Sequence, residues 1–139
     1  MDIPALVQRI IYPLTDTPDR AWDAAGNSWV AGTILALNRL LGGTWTLSAT
    51  PLVGPALVKV GIGFLFVLLS LLAYRRSRIA SSAIFILAIF EVLIEVLFAV
   101  ILNGIYSFNL LIVSVALVLA FGGFRGANAI FAHYRNSRS

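Results

Sequence analysis

Cysteine is absent from this chain of 139 residues, and histidine occurs only once, at position 133. The lack of thiols excludes a disulfide framework, a thiolate metal site, a c-type haem attachment and a cysteine nucleophile. A lone imidazole in a basic C-terminal segment is typical of a solvated residue or one that faces lipid headgroups, not of a cofactor ligand. We therefore expect neither a metal nor a cofactor.

Charged residues are also scarce. They make up 12% of the chain, about half the share in an ordinary soluble domain. Hydrophobic residues make up 60%, and the mean hydropathy is +0.94. This balance excludes a disordered tail, a fibrous repeat and an ordinary soluble enzyme, and it predicts a small integral membrane protein with a single domain over residues 1–139. Because unpaired backbone groups are costly in lipid, we expect an all-α bundle.

The sequence carries none of the short motifs that usually accompany catalysis. It has no phosphate-binding glycine loop, no zinc motif and no nucleophile elbow. The two glutamates, Glu91 and Glu95, lack the Glu-x-x-His partner of a di-iron bundle. We predict that the chain is not an enzyme.

The first 14 residues are amphipathic and end at a proline. Apolar residues of this segment can share one helical face, which predicts a helix over 1–14 that lies in the membrane interface. The segment has no basic start and no small-residue cleavage site, so we expect no removable signal peptide. Thr17 and Pro18 then suit the N-cap and the first position of a new helix.

That new helix is predicted over residues 18–41, where the glycine pair 42–43 is expected to end it. It is amphipathic, and Asn38 and Arg39 lie in its apolar half, so it is only marginally hydrophobic for a membrane span. It either crosses the membrane with its polar face against protein or lies in the interface. Residues 42–55 are predicted to form a linker rich in Gly, Thr and Pro.

Three strongly apolar segments follow, at 56–74, 79–102 and 105–124. Each meets the length of about 20 residues that a helix needs to cross the hydrocarbon core. Only Asn103-Gly104 separates the last two, which predicts a tight antiparallel hairpin. Residues 125–139 form a basic cytoplasmic tail, in which the last helix continues past the bilayer or bends along its surface.

The surplus of basic residues sets the expected orientation. Nine arginines and one lysine against six acids give a net charge of +4, which in a soluble chain would suggest nucleic acid. Here the basic residues flank the apolar segments, so we expect no nucleic-acid partner and read them as topology signals. The residues that would mark the cytoplasmic side are Arg75, Arg76, Arg78, Arg125, Arg135 and Arg138.

This distribution predicts a multi-pass protein with a cytoplasmic C-terminus. The predominance of Arg over Lys is a habit of GC-rich bacterial genomes, so we expect the bacterial inner membrane. Four spans with both termini inside leave no basic residue in an outer loop. The alternative is three spans, with residues 1–50 lying on the outer surface.

Glu91 and Glu95 are the most informative polar pair. They are four residues apart, share a helical face, and lie near the middle of a predicted span, where a bare carboxylate is expensive. Two carboxylates this close repel each other, so at least one needs a proton or a basic partner. Arg39 is the first candidate partner and Lys59 the second. The four residues form either a structural ion-pair cluster or a proton or cation site.

Small residues recur at the end of the last span. Gly122 and Gly126 form a GxxxG spacing, and Gly123 and Ala127 repeat it one residue later. Small residues four apart let two helix backbones approach closely. The contact is either with another chain or with a helix of the same chain.

These features lead to two main hypotheses. The first is a non-catalytic small subunit of a larger bacterial inner-membrane assembly, with energy-transducing assemblies among the candidates. The alternative is a homo-oligomeric channel or a proton- or cation-coupled transporter that uses Glu91 and Glu95. A weaker third hypothesis is a regulatory or immunity-type protein with one binding partner. The expected partners are the lipid bilayer and either other membrane subunits or copies of this chain.

Overall fold

A computed structural model describes Pro4, Gln8 and residues 12–49, 53–101 and 107–137. Within them lie four helices and no strand, which confirms the all-α fold class. The helices are α1 (Pro18–Ala49), α2 (Val53–Tyr74), α3 (Arg78–Ile101) and α4 (Ser107–Asn136). Most of the predicted interfacial helix at 1–14, the turn at 103–104 and Arg138 lie outside the described residues.

Three of the helices are long and apolar enough to cross a membrane, namely α2, α3 and the part of α4 from Asn109 to Asn136. They correspond to the three strong segments predicted from hydropathy. Much of their apolar surface faces outward, as on α2 at Phe64 and Leu68 and on α3 at Phe90 and Leu97. Bundles with such surfaces need lipid or another protein around them.

α1 begins where the sequence predicts. The first helical residue is Pro18, and Thr17 Oγ1 accepts a hydrogen bond from the Arg20 backbone amide (3.3 Å). This bond satisfies one of the amides that a helix start leaves unpaired. The predicted N-cap is confirmed.

The predicted end of α1 at Leu41 is wrong, because the helix continues through the glycine pair to Ala49. Gly43 packs closely on α2: a Cβ there would lie 2.7 Å from Val60 Cγ2. The glycine therefore permits a close helix contact instead of ending the helix. Much of the predicted linker over 42–55 is helical, and α2 already starts at Val53.

α1 is the centre of the bundle and contacts each of the other three helices. It runs antiparallel to α2, from a contact between the Trp29 and Tyr74 rings (centroids 5.9 Å apart) to a hydrogen bond between Lys59 and Thr46. α1 thus lies beside α2 over most of its length, not across the end of the bundle. It runs parallel to α3 and antiparallel to α4.

Small residues let α1 and α4 approach closely. On α4 the buried positions continue the predicted small-residue motif toward the helix start, through Ala120 and Ala116. A Cβ on Gly126 would lie 2.7 Å from the Ala21 carbonyl oxygen of α1. Larger side chains fill the rest of the core: Phe66, Leu35, Ile84 and Val113 are fully buried.

A turn of three residues joins α2 to α3. Arg76 has a positive φ of 61°, and its amide bonds to the Ala73 carbonyl (2.8 Å) while the Ser77 amide bonds to Leu72 (3.2 Å). This is the Schellman arrangement that ends a helix. The Ser77 hydroxyl then accepts the Ala80 amide (3.3 Å) and caps α3.

α4 continues to Asn136 as one helix of 30 residues. The described part of residues 125–139 continues this helix without a break as far as Asn136. At about 1.5 Å per residue, a helix of this length exceeds a hydrocarbon core of about 30 Å.

Candidate functional site: a buried ion pair beside a polar cavity

Arg39 of α1 and Glu91 of α3 form a two-point ion pair in the interior of the bundle. Arg39 Nε donates to Glu91 Oε1 (2.9 Å), and Arg39 Nη2 donates to Glu91 Oε2. Glu91 is 5% exposed. The structure thus brings together the two residues that sequence reasoning named as first-choice partners. The forked geometry satisfies both carboxylate oxygens with charged donors.

The pair lies near the middle of the bundle. Helix geometry puts Glu91 about 20 Å from the start of α3 and about 15 Å from its end. A single charge at that depth is expensive in lipid, whereas a bidentate pair leaves no net charge. The pairing with Glu91 explains how α1, which is only marginally hydrophobic, carries an arginine inside an apolar bundle.

Glu95 lies one helical turn beyond Glu91 and is 7% exposed. Within the described ranges, no side chain or backbone group bonds to its carboxylate. It lines a cavity of about 490 Å³ to which all four helices contribute. The polar lining consists of Asn38, Arg39, Thr46, Lys59, Glu95 and Asn109.

Lys59, the second predicted partner of the carboxylates, makes a different contact. Its Nζ donates to Thr46 Oγ1 (3.2 Å) and lines the same cavity. Among the residues that the structure describes, it forms no ion pair with Glu91 or Glu95. The lysine and Glu95 therefore share a cavity without a direct salt bridge.

Sequence reasoning missed three polar members of this site, Asn38, Thr46 and Asn109, as binding groups. Asn38 and Thr46 lie about two helical turns apart on α1, whereas Asn109 lies on α4, so no single spacing rule relates all three. The available signal was polarity at unexpected positions, since Asn109 lies within a predicted apolar span.

Charges are separated along the bundle. The cavity lies toward the ends of α1 and α3, whereas Arg75, Arg76 and Arg78 lie at the opposite end. Arg78 lies over the Phe131 ring (4.8 Å) and donates to Asn128 Oδ1 (2.6 Å).

Aromatic rings and backbone groups hold the other basic groups at that end. Arg76 lies over the Trp22 ring (5.1 Å), and Arg125 lies over Tyr12 (3.5 Å). His133 contacts the Thr15 carbonyl (3.2 Å). Arg75 and Arg135 are exposed.

The small-residue motif packs within the chain. Gly123 contacts Ser28 and Gly126 contacts Ala25, both on α1. A Cβ on Gly122 would lie 3.1 Å from Asn27 Nδ2, and Ala127 is buried in the same region. Of the two possibilities that the sequence left open, the structure takes the contact within one chain.

The arrangement can bind a proton, a cation or a polar solute at Glu95. Among the described residues, no group of three His, Cys, Asp or Glu side chains could hold a metal ion. Comparisons with family models, with curated proteins and with solved structures return no match.

Proposed function

We propose that this chain is a multi-pass transport protein of the bacterial inner membrane, with Glu95 as its proton- or cation-binding group. One observation carries the proposal: a buried carboxylate without a bonding partner among the described residues lines a cavity formed by all four helices. Buried ionisable groups in membrane bundles mark ion pathways and proton relays.

In this proposal all four helices span the bilayer. α1 lies beside α2 over most of that helix, so a membrane that contains α2 also contains α1. Its arginine is covered by Glu91, which removes the main objection to such a span. The positive-inside rule favours a cytoplasmic location for the Arg75–Arg78 turn and for the C-terminal end of α4. The cavity then belongs to the outer half of the membrane.

The ion pair and Glu95 have separate roles in this proposal. Arg39 and Glu91 satisfy each other and hold α1 against α3. Glu95 is the group that exchanges a proton or cation with the cavity. Because binding at Glu95 cancels its charge, the loaded and empty states of the cavity differ by one unit of charge in a region of low dielectric constant.

The test is a flux measurement on the purified protein in liposomes that contain a pH-sensitive dye. Wild type should carry protons down an imposed gradient, and Glu95→Gln should reduce the rate at least tenfold, because an amide cannot take up the proton. Asp23→Asn is the matched control, since it neutralises an exposed acid of α1 outside the cavity lining. Flux in Glu95→Gln equal to that of wild type, or no flux in wild type, contradicts the proposal.

A second candidate function is the non-catalytic subunit of a larger membrane assembly. The observation that favours it is the breadth of outward apolar surface on α2 and α3, including Leu57, Leu71, Leu93 and Val100. Native mass spectrometry on protein extracted gently from its own membrane distinguishes the two. Other polypeptides in the particle support the subunit, whereas a multiple of 15.0 kDa supports a homo-oligomeric transporter.

A further inference from the structure

We infer that the cavity binds a small zwitterion of the amino-acid type, with its ammonium group at Glu95 and its carboxylate at Lys59. The inference rests on the proposed function, since it takes the Glu95 cavity as the binding site. It adds the chemical class of the solute that occupies this site.

The charged residues that line the cavity are the first evidence for a zwitterion. Arg39 is neutralised by Glu91, which leaves one cation, Lys59 on α2, and one anion, Glu95 on α3. The empty cavity is therefore neutral but contains two separated charges of opposite sign. A zwitterion matches both of these charges and keeps the site neutral, whereas a lone anion or a lone organic cation matches only one of them.

The donors and acceptors of the cavity fit both ends of such a molecule. A lysine ammonium group carries three N–H donors, and within the described part of the chain Thr46 accepts one of them. The other two can bind a carboxylate. Glu95 is an acceptor without a described partner and can bind an ammonium group. The amides of Asn38 and Asn109 add donors and acceptors of either kind.

The volume of the cavity and its apolar lining residues indicate the size and the hydrocarbon part of the ligand. A volume of about 490 Å³ lies within the range of about 300–1,000 Å³ that small-molecule sites occupy. Trp45, Ile94 and Phe98 complete the wall with apolar surface. These residues favour a short hydrocarbon body between the two charged groups. A hard divalent cation is disfavoured, because it takes several oxygen ligands and the lining has one free carboxylate.

The experiment compares β-alanine with its two single-charge analogues, propionate and propylammonium, and with glycine and γ-aminobutyrate. Binding to the purified full-length protein in micelles is measured by isothermal titration calorimetry. One of the three zwitterions should bind at least tenfold more tightly than either single-charge analogue. Lys59→Gln and Glu95→Gln should each weaken that binding at least tenfold, since each removes one of the two charged contacts.

Matched controls separate this effect from a general loss of charge or fold. Arg75→Gln removes an exposed cation at the opposite end of the bundle, and Asp23→Asn removes an exposed acid outside the cavity lining. Both should bind the zwitterion as wild type does. Thermal unfolding of every variant identifies any that fails to fold, and Lys59→Arg, which keeps the charge, should retain more binding than Lys59→Gln.

Proton flux in liposomes is measured in parallel, so the two proposals can fail separately. Proton flux without binding of any of the three zwitterions contradicts the inference that the cavity binds a zwitterion, and it leaves the proposed function standing. Equal binding of propionate and β-alanine also overturns it. Zwitterion binding that is lost in Lys59→Gln and Glu95→Gln, in a protein without flux, supports the site and overturns coupled transport.

Discussion

At the scale of single residues, Arg39 and Glu91 stabilise the bundle only as a pair. Each one alone would leave a charge in the apolar interior, and removing one partner of a buried pair typically costs about 3–5 kcal/mol. Replacing both with apolar groups of similar volume is often close to neutral. The two outcomes differ enough to be measured.

We therefore predict that Arg39→Leu lowers the free energy of unfolding by about 3–5 kcal/mol, and that Arg39→Leu combined with Glu91→Leu recovers most of the loss. Unfolding in detergent micelles, followed by circular dichroism, measures both. Arg75→Leu is the control for loss of an exposed arginine, with an expected change within about 0.5 kcal/mol. Additive losses in the double variant would show that the two side chains do not depend on each other.

The exposed pair of Asp16 and Arg20 gives a prediction about pH. The Arg20 guanidinium donates to both Asp16 carboxylate oxygens (2.8 and 3.1 Å) and lowers the pKa of Asp16. A lowered pKa favours the folded state above the ordinary pKa of the group, and the benefit is lost as the pH falls through the folded value. Arg20→Gln should raise the pKa of Asp16 toward its ordinary value. A carboxyl NMR titration tests this, and an unchanged Asp16 titration in the variant would contradict it.

The meeting of Arg39 and Glu91 could be predicted because each is costly alone in lipid and the chain offers few partners. The cavity could not, because it depends on the register of four helices. Asn38 and Thr46 lie on α1, whereas Asn109 is far from them in the sequence, and only the packed bundle brings all three together with Lys59. The need of a buried charge for a partner can be predicted from the sequence of one span. The residues that line a cavity between helices can be identified only once the packing of those helices is known.

At the scale of helices, some glycines permit close packing, as Gly43, Gly123 and Gly126 do. Gly42 and Gly43 do not end α1, although glycine after an apolar run ends many helices in soluble proteins. Arg76 ends α2 in the left-handed conformation that glycine usually supplies there. At Gly43 the close contact with α2 accompanies a helix that continues, and at Arg76 the two Schellman hydrogen bonds form without a glycine.

The different surroundings of Gly123 and Gly61 give a prediction about helix packing. Gly123→Ala should destabilise the protein by about 1–3 kcal/mol, because the new methyl group meets Ser28 of α1. Gly61→Ala is the matched control, since a Cβ there meets no atom within 4 Å. It should leave stability unchanged or raise it by up to about 1 kcal/mol.

Thermal unfolding of both glycine variants tests this prediction. Equal midpoints for Gly123→Ala and Gly61→Ala would mean that α1 and α4 are not in the close contact described. A lower midpoint for Gly123→Ala alone identifies the small-residue stripe as a contact within the chain.

At the scale of the whole molecule, hydropathy predicts three spans readily because their apolar runs are long and nearly uncharged. α1 has a mixed composition, so its place could not be predicted from hydropathy alone. In the structure α1 packs beside α2, and its span is part of the proposed function.

The absence of cysteine allows a direct test of topology. Leu14→Cys, Ser48→Cys and Ser137→Cys each introduce one thiol at an exposed position near a helix end. A membrane-impermeant maleimide should label positions 14 and 137 from the cytoplasmic side, in inverted vesicles, and position 48 from the outside of intact cells. Labelling of positions 14 and 48 from the same side would instead support three spans with residues 1–50 on the outer surface.

The ion pair also bears on the order in which the helices enter the membrane during synthesis. Glu91 is synthesised 52 residues after Arg39, a delay of roughly 3–10 s at synthesis rates of about 5–20 residues per second. If α1 spans the bilayer, as we propose, it carries an unmatched arginine until the carboxylate emerges, which costs about 2.5–3.5 kcal/mol at a helix centre. In that arrangement α1 settles in the bilayer only when α3 follows.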